Sequence, residues 1–251
     1  MTHPHATASL EAVVEARFDR HPFENGLTRA NAEQVLRHYL AMSISFPFLQ
    51  AGAIADTFQY LVDAQGDIDA EAEATAVVGA FLVWDEFGGH ACLMQEGMPG
   101  LPNILRTSAF HANLLRRDLH TIFGREITPE FGEPTASYLR ALRVGLSNAD
   151  PLRRVAHMAA FEKHANQMIN ALWNGLESGM GCKKESLAYF QTHVGGDDPA
   201  EAYHVMMTER LLSNTVCAAE APGFLKWFED AYALNWEWCE NLTFLSPERG
   251  Q

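Results

Sequence analysis

Apolar residues recur at intervals of three and four along nearly the whole chain, and no run of alternating polar and apolar positions rich in β-branched residues interrupts them. The pattern predicts an all-α protein. The expected helices span 8–19, 28–64 with a break near Pro47, 69–87, 105–123, 135–146, 151–177, 184–193, 199–219 and 223–242. Start signals stand at several of these: Thr28 with Asn31, Asp69 ahead of Glu71 and Glu73, Thr135 after a proline, and Asp150 before Pro151. Gly88-Gly89, Gly124, Gly179 and Pro222 read as stops. The connection from Gly88 to Leu105 holds Gly97, Pro99, Gly100 and Pro102 and is long for a link between helices; such a loop covers a site or moves.

No repeat, low-complexity tract or shift in composition divides the chain, so one domain over residues 1–251 is expected. With 251 residues and 47% hydrophobic content, the chain can bury a large core. Its 18 basic against 32 acidic residues, a net charge of −14, have the wrong sign for nucleic acid or an anionic lipid surface. The longest uncharged stretch, 39–55, carries Ser43, Ser45, Pro47, Gln50 and Gly52 and is too short to span a membrane. Cys92, Cys182, Cys217 and Cys239 are scattered, without the spacing of a disulfide framework or a zinc knuckle. Reduced thiols and the absence of a signal-like start point to the cytoplasm.

Candidate chemistry lies where polar groups interrupt apolar stripes, because a buried carboxylate or imidazole is costly unless paired or metal-bound. Glu86 follows Val78 and Leu82 at i+8 and i+4, just before two glycines. Glu162 is the acidic member of the stripe Val155, Met158, Ala165, Ile169, Leu172 and Leu176; the ordinary alternative is a salt bridge to Arg153 or Lys163. His111 shares a face with Leu114, Leu115 and Ile122, as a hydrogen-bonded core residue or a ligand, and His90 stands four residues after Glu86. The segment 189–204 is the densest in metal-capable groups: His193, Asp197, Asp198, Glu201 and His204, the last on one face with Met207 and Leu211. An ordinary capped loop between two helices is the plain alternative there. Carboxylates and imidazoles without a thiolate are a donor set for iron or manganese.

In these residues the sequence resembles the haem-oxygenase-like diiron oxidases, relatives of the TenA and PqqC helical proteins, whose pattern is a Glu, a His, a Glu and then a His-x3-Asp-x2-His run. Glu86, His111, Glu162 and His193-x3-Asp197 follow it over most of the chain. The run then departs: Ala200 stands where the last His is expected, and His204 follows four residues later. Either Asp197 and His204 are ligands across a distorted helix, or Glu201-x2-His204 replaces the usual pair.

The resemblance implies a single-domain haem-oxygenase-like bundle of about seven to nine helices. It also implies two Fe(II) ions, the second held less firmly, with O2 as co-substrate. The metal ligands would be Glu86, His111, Glu162, His193, Asp197, Glu201 and His204, with Glu86 and Glu162 as catalytic carboxylates and His90 as a substitute for His111. Oxidation of a small amino-acid-derived or fatty-acid-like substrate in specialised metabolism is the expected activity, with an external electron donor and a homodimer as candidate partners. The alternatives are a metal-free TenA-like hydrolase or PqqC-like oxidase, and a helical carrier without chemistry. Met42, Phe46, Phe48, Phe81, Met158 and Met207 are candidate cavity residues, and Arg106, Arg116 and Lys163 are candidates for holding a substrate carboxylate. A ferritin-like bundle is disfavoured, because it needs two Glu-x2-His motifs and the chain has one, at Glu201.

Overall fold

The structure, a computed structural model, describes residues 4–195 and 200–245, apart from the side chains of 4–9, 200 and 201. Eleven α-helices and no strands are found among the described residues. The all-α expectation therefore holds. The helices are α1 (Pro4–Arg17), α2 (Pro22–Gly26), α3 (Ala32–Asp63), α4 (Ala70–Glu86), α5 (Gly89–Glu96), α6 (His111–Phe123), α7 (Thr135–Leu146), α8 (Pro151–Met180), α9 (Ala188–Val194), α10 (Ala200–Thr215) and α11 (Ala221–Thr243). No helix among them is long and apolar enough to cross a membrane.

The architecture is organised around α8. Asp150 accepts a hydrogen bond from the Leu152 amide, Pro151 opens the helix, and Gly181 closes it at φ 72. The sequence marked one apolar stripe, but Ala156, Ala160, Phe161, His164, Met168 and Ala171 are buried as well. A helix apolar on most sides belongs in the middle of a protein. The other helices wrap it: α2, α7, α9, α10 and α11 all pack on α8, while α3 pairs with α4, α6 and α7. Gly175 permits the closest approach. A Cβ there would stand 2.8 Å from the Phe23 carbonyl oxygen, so α2 rests directly on α8. One contiguous buried cluster runs from Leu10 and Val14 of α1 to Cys239 and Leu242 of α11.

Several boundaries differ from expectation. α3 continues through Pro47 without a break, although that residue cannot donate to the carbonyl four residues back. The presumed loop after Gly88 is mostly helical: α5 is followed by 3-10 turns at Met98–Leu105 and Thr107–Ala109, and α6 begins only at His111. A 3-10 turn at Lys184–Ser186 likewise delays α9, and α2 was not foreseen. Gly179 lies inside α8, and Pro222 starts α11 where a stop was expected. These short pieces raise the count above nine. Too brief to show a period, they are fixed by capping and packing.

Candidate metal centre

α4 delivers two consecutive carboxylates into the core. Asp69 caps its first turn by accepting from the Ala72 amide at 2.6 Å, and Gly88, at φ 71, turns the chain sharply after its last. Neighbouring residues on a helix point about 100° apart, so Asp85 and Glu86 face different partners. Glu86 turns to α6 and α9, whereas Asp85, 2% exposed, turns to α10.

On the first side, Glu86 Oε1 stands 3.7 Å from His111 Nδ1, and the His111 and His193 rings meet edge to face at 4.6 Å. His193 Nδ1 is 2.7 Å from the Tyr189 carbonyl oxygen. A carbonyl only accepts, so Nδ1 carries the proton and Nε2 presents its lone pair. Burial, with the His111 imidazole nearby, pulls the His193 pKa down to about 4, so the ring stays neutral. For His111 burial also opposes charge, but Glu86 and Asp85 outweigh it and raise its pKa above the usual value. The buried Nδ1 of His111 nevertheless has no hydrogen-bond partner.

The ligand atoms of Glu86, His111 and His193 lie within 4.8 Å of one another. Donors bound at about 2.0–2.2 Å sit roughly 4 Å apart across one ion, so this trio fits around a single metal. Asp118 of α6 keeps the trio in register. Its buried carboxylate accepts from the Ala188 and Tyr189 amides at 2.8 Å each, capping α9 from outside and tying the helix of His193 to that of His111.

On the second side, His204 of α10 is clamped between two carboxylates, with Nδ1 3.1 Å from Glu162 Oε2 and Nε2 3.1 Å from Asp85 Oδ2. Burial disfavours its charge, but these two hydrogen bonds prevail and push its pKa up to about 11. Burial would likewise raise the Asp85 pKa, yet the His204 bond and the surrounding imidazoles bring it below the ordinary carboxylate value. Phe81 packs edge-on against the His204 ring at 5.5 Å.

Between the two sides lies a cavity of about 40 Å3, walled by Tyr39, Met42, Phe46, Phe161 and Met168 and lined by Glu86, Glu162, His193 and His204. That is room for a few water-sized molecules. An outer cavity of about 180 Å3 shares Ser43 and Glu86 with it and is lined by Ile44, Phe48, Phe87, Phe110, Asn113 and Arg116. A third, of about 360 Å3, reaches Glu162 and His204 from the opposite side.

Of the residues singled out from sequence, Glu86, His111, Glu162, His193 and His204 come together here. Asp197 lies outside the described residues, as does the Glu201 side chain. His90 is buried on α5 with its ring against Tyr203 at 5.4 Å and takes no part in the trio. Arg153 and Lys163 do not neutralise Glu162: Lys163 pairs with Glu11, and Arg153 lies near Asp150 and over the Trp227 ring. Met42 and Phe46 line the inner cavity, but Phe48 is at the outer opening and Met158 lines a different pocket. Asp85 was missed. Its signal was present, since Val78, Leu82 and Asp85 stand at i, i+4 and i+7, nearer one line down the helix than Glu86.

Fold and site together define an all-helical protein whose central layers enclose a metal-capable cluster of carboxylates and imidazoles. Among solved structures the chain is similar to a CADD-like protein of unknown function from Nostoc punctiforme, with 14% identity, a TM-score of 0.68, and coverage of 97% of this chain and 98% of that one. The likeness extends to the fold alone. Comparison with protein-family models and with curated proteins gives no match.

Proposed function

We propose that the protein is a non-haem diiron oxidase that uses O2 to oxidise a small organic substrate. The observation that supports this most is the cluster of three carboxylates and three imidazoles, buried or half-buried and free of thiolate, in which Glu86, His111 and His193 converge within ligand distance of one another, a donor set suited to iron or manganese. Glu86, His111 and His193 would hold one ion. A second ion would take one nitrogen of His204 together with one of its two carboxylates, Asp85 or Glu162, which stand on opposite ring nitrogens, and only once His204 gives up a proton, which fits a second ion that is bound less firmly. Ferrous ions, when bound, would supply the electrons that reduce O2.

The chain's own groups do the rest. The Tyr189 carbonyl orients His193 and fixes its tautomer. Phe46 and Phe161, stacked at 4.2 Å, give the inner cavity an apolar wall. Ser43 Oγ is buried without a hydrogen-bond partner and faces both inner and outer cavities, where it would donate to a substrate or water beside Glu86. Of the three cations considered for a substrate carboxylate, Arg106 is paired with Glu96 and Lys163 with Glu11, leaving Arg116 at the outer opening.

A thiol-based hydrolase lacks support: no cysteine lines these cavities among the described residues, and burial pushes the Cys239 thiol well above its ordinary range. Anaerobic loading with Fe(II), followed by measurement of bound iron and O2 uptake, tests the reading. Wild-type protein should consume O2 in proportion to its iron, and Glu162→Ala and Asp85→Ala should not. Iron binding without O2 uptake above that of free iron would overturn the oxidase, and tight ligand capture without iron would favour a carrier.

A further inference from the structure

Outside the metal centre, two buried polar side chains have unmet hydrogen-bonding capacity and line the same cavity. It measures about 190 Å3 and lies between α3, α4 and α8, among Ala53, Ile54, Ala72, Thr75, Ala76 and Met158. Gln50 is 1% exposed and its Nε2 has no partner. Arg154 is 3% exposed; its Nη1 donates to the Asn148 carbonyl at 2.7 Å, its buried Nε has no partner, and among the described residues no carboxylate makes an ion-pair contact with it, Asp69 and Asp150 acting on its charge from farther off.

A guanidinium removed from water without an anion in contact is costly, and so is an amide with an unused donor. The neighbouring Thr57 and Thr75 hydroxyls donate to the Ala53 and Glu71 carbonyls within their own helices, and neither accepts from these two donors. The remaining wall is apolar and continues outward to the exposed Phe58 and Ile68, with Glu73 the acidic group at the rim. Two buried donors in the wall of an apolar slot match an acceptor-only head on a short apolar body.

We propose that this cavity is a second binding site, separate from the metal centre, for a small monocarboxylate whose head is held by Arg154 and Gln50 and whose apolar chain lies between α3 and α4. It shares no lining residue with the inner cavity. Its three walls nevertheless continue into that centre: Gln50 is one turn from Phe46, Met158 is one turn from Glu162, and α4 runs on from Ala76 to Asp85. The proposal does not depend on iron.

Calorimetric titration of the metal-free full chain with hexanoate, against hexan-1-ol and hexylammonium, is the test. Hexanoate should bind at least tenfold more tightly than either control, and Arg154→Met and Gln50→Leu should each weaken it tenfold or more. Ala76→Phe, which narrows the slot and replaces neither donor, should abolish binding, and His193→Ala should leave it unchanged. If Arg154→Met fails to fold, Gln50→Leu and Ala76→Phe decide. No saturable hexanoate binding to wild type, or binding that survives Ala76→Phe, would overturn the proposal.

Discussion

Among the described residues, two clusters bring histidine nitrogens within metal-ligand distance, and only one is prepared for a metal. Glu86, His111 and His193 form the first; His21, His164 and Cys239, from the chain just before α2 and from α8 and α11, form the second. What separates them is the backbone partner of one ring nitrogen. At His193 that partner is a carbonyl, which draws the proton to Nδ1 and leaves the inward Nε2 lone pair available. At His21 it is the Phe23 amide, which donates to Nδ1 at 3.2 Å and so forces the proton onto the inward Nε2. That proton is given to His164 Nε2 at 3.2 Å. The two nitrogens that would face an ion are thus spent on each other.

Charge reinforces the contrast. No carboxylate joins the second cluster, and burial lowers the His21 pKa to about 3 and the His164 pKa well below 6.5 while raising the Cys239 thiol. It is a neutral hydrogen-bonded joint between α2 and α8. The first cluster, with Asp85, Glu86 and Glu162 around it, is built for positive charge. Distance alone would not distinguish the two; proton placement does.

The sharpest way to break this comparison is to remove one histidine from each cluster. His193→Ala should weaken the first iron by roughly 100-fold or more, since even indirect partners of a metal ligand are worth 10–100-fold. His164→Ala should leave iron per chain unchanged, as measured by metal analysis after anaerobic loading. Equal iron loss in both variants would erase the distinction.

A smaller effect should follow at Asp118, which touches neither cluster yet holds α9 on α6. Asp118→Ala strands two amides at the start of α9, at a cost of about 2–3 kcal/mol in denaturant unfolding. Iron affinity should fall through His193 while the second cluster is untouched. Full iron affinity in a destabilised Asp118→Ala would show that α9 does not need this tether.

Much of this was legible in the chain and some could not be. Glu162 stood out because α8 is long enough to define a face, and a carboxylate in the middle of an apolar stripe has few ordinary explanations. His193 and His204 stood out by density. The expected helices 184–193 and 199–219 already separated them, but that His204 faces two carboxylates depends on how α10 packs on α4 and α8, which no periodicity fixes. The second cluster could not be read at all: its members lie 143 and 75 residues apart in sequence, and their tautomers depend on a backbone amide.

Acidity offers a third probe, this time of the neutral joint. The folded-state pKa values of His21 and His164 are lower than in the unfolded chain, so the unfolded state binds more protons as pH falls below about 6.5. Stability is therefore complete above that pH and declines toward pH 3, by up to about 1.4 kcal/mol per unit for each ring. In the metal-free protein, His164→Gln should remove one such contribution. Between pH 7 and 5.5 its unfolding free energy should fall by about 1 kcal/mol less than that of wild type. Parallel slopes would mean that His164 accepts a proton in the folded state.

The smallest expected effect is none, and it is the most discriminating. Cobalt(II) bound by a thiolate shows an intense charge-transfer absorption that oxygen and nitrogen ligands do not give. At the Glu86, His111 and His193 trio no thiolate is present, so cobalt there should give weak ligand-field bands alone. At the second cluster, loading would require Cys239 to lose a proton that burial holds well above the ordinary thiol range, and His21 to surrender the Nε2 proton that the Phe23 amide places there. Both demands oppose the ion before any coordination bond forms. Cobalt-saturated wild type and Cys239→Ser should therefore have the same spectrum, whereas a charge-transfer band lost in Cys239→Ser would show that proximity had prevailed over proton placement.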